Sequence, residues 1–584
     1  MQSTVATGQN PRRFAVARRP VAFRVGAGVG AIAGVVLLVH VVSRSWHPIS
    51  DWALIELHVR DVGSMHTPLV GPFSRYGWNH PGPLLFFVDA IVYRALASRS
   101  SALLGAALLV NTASMCWIWV IVRRVRDSTN AWAVLFVVLL LARALAGGFL
   151  IDPWNPSVTL LPFLATVATL WALSLDHLEL SWVAIVVASF VVQSHLGYLV
   201  PLSAIGAVVA LLLYLDRRHR GTEQDGKPVR RPFAIAVGLG LVLWVPPIVQ
   251  QILGPRGNFA ALLRYANSPS GPRQGPAEGL RVVFEQLTVW PPWLTGHRDL
   301  NPFLGTVTAA RSPIPLALLV LGGAAMLARK RNDRVALRLC AIAGAAVAGA
   351  IVGISQLSGP LYDYLVRWVW AVGALVWCAI LVTLIGPYVE HPRRWLRTAA
   401  PVACAVMAIG GFAQVWTAQP PGVTYSSAVA EVARPTEREL GHREAFVTFT
   451  GGVEAGDVAV GLTLDLERHG ITVRTDRSQR VAYGAFRIAR SPGRRVRVVV
   501  ASEADTIREL SARSGFRLVA RSSRGWLTPA LDARRRQIET ALDAAGHDHA
   551  SAARIASLFA ALRKITPSVS PIAVFFDESS PTAG

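Results

Sequence analysis

The stretch Ser50-Asp51-Trp52-Ala53-Leu54-Ile55-Glu56-Leu57-His58-Val59-Arg60-Asp61 (SDWALIELHVRD) follows directly on the first long apolar run of the chain. It crowds three carboxylates, Asp51, Glu56 and Asp61, into twelve residues. A further apolar run follows, preceded by Trp78-Asn79-His80-Pro81-Gly82-Pro83. A polar island between hydrophobic segments is the loop of a membrane protein, and the rest of the sequence agrees. Of 584 residues, 52% are hydrophobic and 16% charged, too apolar a balance for an ordinary soluble protein.

Apolar runs near 20 residues long are the membrane-helix signal. Candidate spans lie at roughly 22–42, 101–122, 131–150, 157–175, 181–197, 199–216, 233–253, 313–329, 335–357, 365–386 and 397–417, about eleven in all. The first is read as a retained helix rather than a signal peptide, because it is long and no small-residue cleavage site follows. The formal charge of +23 resides largely in clusters between spans: Arg123 to Arg126, Arg217 to Arg231, Arg329 to Arg331 and Arg393 to Arg397. All four face the cytoplasm if the basic N-terminus (Arg12, Arg13, Arg18, Arg19, Arg24) does. Nucleic-acid binding is set aside, since no basic face with interleaved aromatics is visible. Cys116, Cys340, Cys378 and Cys404 all sit in apolar segments and read as packing.

With that orientation, loop 43–100, the turn Asp152-Pro153-Trp154-Asn155-Pro156, loop 254–312 and the tail from about residue 419 lie on the outer face. The expected fold is a polytopic α-helical membrane protein with a small C-terminal extracytoplasmic α/β domain. Its parts are a basic N-terminus (1–21), a transmembrane domain (22–418) and the outer domain (419–584). Strand-like runs at 445–450, 495–501 and 516–521 alternate with helical stretches at 426–440, 457–469 and 503–513. Residues 530–564 read as one or two amphipathic helices. Gly451, Gly452 and Gly456 do not have nucleotide-motif spacing, and no internal repeat is found.

Residues 50–61 read as a short helix at the membrane surface. There Asp51 would cap the helix or act on a substrate, while Asp61 reads as a solvated charge. Glu56 falls roughly 140° round the helix from Asp51. Pro83 would open an apolar helix of about 14 residues, too short to span. Its N-terminus, with His80 and Arg75, would suit a phosphate. Asp152 supplies a second outer carboxylate within a rigid turn. Gln193-Ser194-His195 is a polar group in or beside a span, functional or an interhelical hydrogen bond. Arg367, after Tyr362-Asp363-Tyr364, either contacts phosphate or snorkels.

An outer carboxylate after the first helix, followed by GPFSRYGWNHPGPLLFFVDAIVYRAL (71–96), resembles the GT-C membrane glycosyltransferases, in pattern the lipid A aminoarabinose transferases and protein O-mannosyltransferases. Trp52 stands where many relatives have a second acid, and His80-Pro81 where some have Lys-Pro. The resemblance implies two interfacial helices and a polyprenyl-phosphate-linked sugar as donor. The acceptor would be a glycan or lipid of the cell envelope, and transfer on the outer face would invert the sugar. Asp51, Asp152 and Glu56 would be the catalytic carboxylates, and His80, Arg75 and Arg367 would hold the donor phosphate. Trp78, Asn79, Trp154, Asn155 and His195 would line the substrate groove. No metal site is assigned; a divalent ion, Mg or Mn, would need the acid that Trp52 replaces. The competing readings are a transporter or lipid flippase, for which His195 is the best residue, and a non-catalytic scaffold.

Overall fold

The computed structural model describes residues 21–220, 230–254, 257–269, 271–296, 313–386, 394–547, 552–565 and 569–579. The basic residues Arg12, Arg13, Arg18, Arg19, Arg256 and Arg393 fall outside them. Among the described residues, 8 helices are long and apolar enough to cross a membrane: Ser101–Val125, Ser128–Leu145, Asn155–Ser174, Leu196–His219, Arg231–Leu253, Arg334–Ser355, Asp363–Ile385 and Thr398–Thr417. The other expected spans are helix Val21–Val42 and the shorter helices Ser181–Ser194 and Leu316–Lys330. The chain is thus a multi-pass membrane protein.

Burial sorts these helices into layers. The most apolar window of Asn155–Ser174 is 94% buried, at the heart of the bundle, whereas Arg231–Leu253 and Thr398–Thr417 are 11% buried and turn apolar side chains outward. An all-round apolar helix suits either place, and only packing decides which. Expected span 131–150 stops short at Leu145, because Ala146 takes φ +68° and redirects the chain into the short helix Gly147–Leu150. The 181–197 and 199–216 pair is joined by one 3-10 turn, Leu196–Tyr198. At one end of the bundle the basic loops are tied together by Arg126–Asp333 and by Arg334 and Arg338 on Asp216.

At the opposite end sits an α/β domain. Its five-stranded sheet runs Val473–Arg474, Ala445–Thr450, Val496–Ser502, Ile572–Asp577, Phe516–Arg521. The first three strands are parallel, and Ile572–Asp577 is antiparallel to both its neighbours, with Val500 opposite Val574. The three strands expected from the sequence are present, as are helices Val423–Leu440, Val453–Arg468 and Ala504–Ala512 between them. The interior strand Ile572–Asp577, fourth in the sheet, is not among the strands expected from the sequence. All six of its residues are buried, which is why it reads as an unbroken apolar run without alternation. Residues 530–564 fall in two helices, Pro529–His547 and Ala552–Ile565.

Helix Ser50–Asp61 corrects an expectation. It does not lie on a surface; it is buried between the bundle and the sheet domain. Ala53, Leu54 and Leu57 pack on Val460, Leu464, Ala482 and Tyr483 of that domain, and Trp52, Ile55 and Val59 join the bundle core. Asp61 is no solvated charge either. Both its oxygens receive Arg487 (Nη1 2.8 Å, Nη2 2.9 Å), whose Nε and Nη2 also reach Glu467 at 2.8 and 2.9 Å. Glu56 accepts from Arg468 Nη1 at 2.5 Å and from the Tyr93 hydroxyl at 2.9 Å. Two of the three clustered carboxylates therefore fasten the C-terminal domain to the bundle.

Removing one partner of a buried ion pair strands the other. Arg487→Met should cost about 3–5 kcal/mol and loosen the domain, because two carboxylates lose their cation. Thermal unfolding in detergent, with limited proteolysis near residue 420 as the reporter of domain release, checks this.

Candidate functional site

A cavity of about 1480 Å³ opens where the bundle meets the sheet domain. The polar island supplies one wall with Asp51, Trp52, Arg75, Trp78 and His80, and the turn that follows helices Ser128–Leu145 and Gly147–Leu150 supplies Asp152, Trp154 and Asn155. His195, Tyr362, Tyr364 and Arg367 come from other helix ends. Of the residues singled out in the sequence, the structure brings these together and places two elsewhere. Glu56 is committed to Arg468 and Tyr93, away from the cavity. Asn79 is held by Asn258, Gly71 and Val481, and pins the loop rather than lining the cavity.

Asp51 is the second residue of helix Ser50–Asp61, whose N-cap is Ile49, so it does not cap the helix. Its Oδ2 accepts the Trp154 indole N–H at 2.9 Å. Burial, and the nearby Asp457 carboxylate, push its pKa up to about 6 against the Trp154 hydrogen bond. Just before it, Ser50 has φ +49°, a left-handed conformation that costs about 1–3 kcal/mol in a non-glycine residue. The Ser50 side chain hydrogen-bonds Asp457, so the sheet domain helps hold this strained entry. Gly422, at φ +67°, lets the chain enter the domain pressed against this point. A Cβ there would lie 2.9 Å from Ile49 Cγ1 and 3.2 Å from Trp52 Cζ3.

Asp152 is more fully engaged. It accepts from Trp52 Nε1 at 2.7 Å, from the Trp154 backbone N–H at 3.0 Å and from Ser157 Oγ at 2.6 Å. Burial raises its pKa against these hydrogen bonds and the charge of Arg367.

Arg75 stands at the tip of a hairpin between Phe73–Ser74 and Trp78–Asn79, closed by Gly77 N–H on Ser74 O at 3.0 Å. Its guanidinium lies 4.3 Å from the centroid of the Tyr362 ring and hydrogen-bonds Tyr364 and Tyr362. Among the described residues no carboxylate pairs with it. Such a cation, framed by rings and hydroxyls, retains donors for an anion. Arg367 is partly neutralised by Asp363, though its buried Nε has no partner among the described residues.

His80 departs from expectation. Its Nδ1 accepts the Leu196 backbone N–H at 3.1 Å, and the His195 ring is 5.2 Å away. Burial, reinforced by His195, holds its pKa well below the usual imidazole value, so it offers an Nε2–H rather than a charge. Burial likewise lowers the pKa of His195 to about 4. No residue of helix Leu84–Ala95 lines the cavity, so its N-terminus is not the anion site the sequence had suggested. Gln193 makes the interhelical bond anticipated as an alternative, Nε2 to Leu243 O at 2.9 Å.

The sequence reading missed Glu454 and Asp457, which line the cavity from the sheet domain. They lie three residues apart in the first turns of helix Val453–Arg468, on one face, directly after Gly451-Gly452. The glycine pair was noticed, but only as a failed nucleotide motif. Even with these acids, among the described residues no three His, Cys, Asp or Glu side chains converge closely enough for a metal ion. Beside Asp51 the position that would complete such a set is the indole of Trp52.

No family model matches the sequence, and no curated protein does. Solved structures do resemble the fold. The crystal structure of ArnT from Cupriavidus metallidurans bound to undecaprenyl phosphate superposes with a TM-score of 0.54 at 16% identity, covering 86% of this chain and 96% of that one. The same protein in the apo state gives 0.51 at 15% identity, covering 85% and 96%. That coverage is more than the helices up to Thr417 can fill, so the likeness extends into the sheet domain. The chain shares the overall fold of ArnT.

Proposed function

We propose that this protein is a membrane glycosyltransferase that moves a sugar from a polyprenyl-phosphate donor to a cell-envelope acceptor at the outer face. The observation that carries the proposal is the pairing, in one cavity, of a half-buried carboxylate whose pKa is raised to about 6 with an arginine that has no carboxylate partner among the described residues. The ArnT whose fold the chain shares has been crystallised with undecaprenyl phosphate, a lipid phosphate of the proposed class.

In this reading Arg75 and Arg367 hold the donor phosphate, and His80 adds a neutral N–H. The charge they place there stabilises the phosphate as it leaves, which is where negative charge develops. Asp51 takes the proton from the acceptor hydroxyl as its oxygen attacks the anomeric carbon, so one displacement inverts that carbon. Trp78, Trp154, Asn155 and His195 shape the groove. The lipid chain lies between helices while the sugar sits in the cavity. The basic loops at the far end of the bundle support a cytoplasmic N-terminus and an extracytoplasmic sheet domain. That domain presents Glu454 and Asp457 from the acceptor side.

The test is to incubate purified protein with native lipid extract and an acceptor fraction, and follow polyprenyl-phosphate sugars by mass spectrometry. One glycolipid should be consumed by wild type, and about 10²–10⁴-fold more slowly by Asp51→Asn. Arg75→Ala should lower kcat as well as raise the donor KM, because the charge on the phosphate grows as it leaves. If no donor is consumed in an extract shown to contain several, the transferase reading fails.

Two pH effects follow from the raised carboxyl. A base must be ionised, so kcat/KM should rise through about pH 6 and level off above it. Folding raises the pKa of Asp51, so its protonation favours the folded state at acid pH, and that advantage is lost as pH rises through about 6. Asp51→Asn should therefore raise Tm at pH 8 and leave it nearly unchanged below pH 4, read by scanning fluorimetry.

A further inference from the structure

We infer that Trp52 and Trp154 are a crossed pair of positioning residues, each indole fixing the carboxylate that belongs to the other's segment. Trp52 directly follows Asp51, yet its Nε1–H is donated to Asp152 at 2.7 Å. Trp154 sits two residues beyond Asp152, yet its Nε1–H is donated to Asp51 at 2.9 Å. The two rings pack with centroids 6.0 Å apart at 54°, and both side chains are buried. The exchange locks helix Ser50–Asp61 to the turn 152–156 at the point where the cavity begins.

The chemistry of the donor matters. An indole N–H has no acceptor lone pair and does not titrate, so it can aim a carboxylate without competing for the proton that a base must collect. Trp154 bonds one oxygen of Asp51, fixing the plane of the carboxylate and favouring its charged form. Asp152 receives three donors on its two oxygens and serves as the anchor for the turn that carries Trp154. A second carboxylate at position 52 would place like charges side by side; the tryptophan removes that repulsion and supplies a donor instead. The role as positioners of a base rests on the transferase reading, but the geometry they impose does not.

Asp457 from the sheet domain and Tyr364 act on Asp51 through their charge or hydroxyl, and Glu454, Arg75, Arg367 and Asp152 line the same cavity. Any change in the titration of Asp51 must be read against these, which the variants below leave in place.

The test needs no substrate. Full-length protein in detergent is treated with a carbodiimide and glycinamide across pH 4–9, and the labelling of Asp51, which follows its protonated fraction, is read by peptide mass spectrometry. Wild type should show a midpoint near 6. Trp154→Phe, which keeps a ring and loses the N–H, should move it upward by about one pH unit. Trp52→Phe, whose lost N–H bonded Asp152 rather than Asp51, should move it the same way by less. The double variant should shift no further than Trp154→Phe alone, because the two bonds act as one clasp. In the transfer assay Trp154→Phe should lose about tenfold or more in kcat, a larger effect than on the donor KM. An unmoved midpoint in folded Trp154→Phe overturns the inference. If that variant does not fold, an unmoved midpoint in Trp52→Phe does so. Independent, additive shifts would overturn the crossing. Labelling shifts without any donor consumption would sink the transferase reading and leave the clasp intact.

Discussion

A carboxylate taken out of water must be met by a cation or by hydrogen-bond donors, or it will take up a proton. Helix Ser50–Asp61 buries two of them and partly covers a third, and the structure depends on how each is met. Asp61 and Glu56 meet arginines of the C-terminal domain, which locks that domain on the bundle. Asp51 meets only an indole N–H on Oδ2 and stays close to protonation. One twelve-residue segment thus joins two domains and leaves its remaining acid at the mouth of the cavity they enclose.

The cavity is polarised as a result. Arg75 and Arg367 stand on the bundle side, framed by tyrosines, and Glu454 and Asp457 stand on the sheet-domain side with Asp51 between. Neither domain alone would make such a place. The bundle lacks the second acidic wall, and the sheet domain lacks the cation. The histidines stay neutral, so they add no cation to the cavity wall.

Most of the fold was legible because both of its signals are local. Twenty-residue apolar runs give spans, and alternating short runs give an α/β domain. The strand Ile572–Asp577 escaped for a physical reason: an interior strand covered on both faces loses its alternation and looks like any greasy run. The site was half legible. Asp51, Arg75, Trp154 and His80 lie in motifs dense enough to be noticed. Nothing in the order of residues, however, tells that Asp61 will find Arg487, more than four hundred positions away, or that His80 will be neutral. Those are facts of packing. Glu454 and Asp457 carried a faint sign, acids one turn apart at a helix start, of a kind found on many helices that do nothing.

The sheet has one more implication. Strands Val496–Ser502 and Phe516–Arg521 are neighbours only through Ile572–Asp577, which lies some fifty residues further along the chain. During synthesis the bundle helices will already have emerged while this interior strand is still on the ribosome. Until it arrives, strand Phe516–Arg521 has no neighbour to pair with, whereas the parallel strands Ala445–Thr450 and Val496–Ser502 can already join and support the helix that bears Glu454 and Asp457. The acidic wall therefore needs only residues made earlier, and the last strand completes the far edge of the sheet.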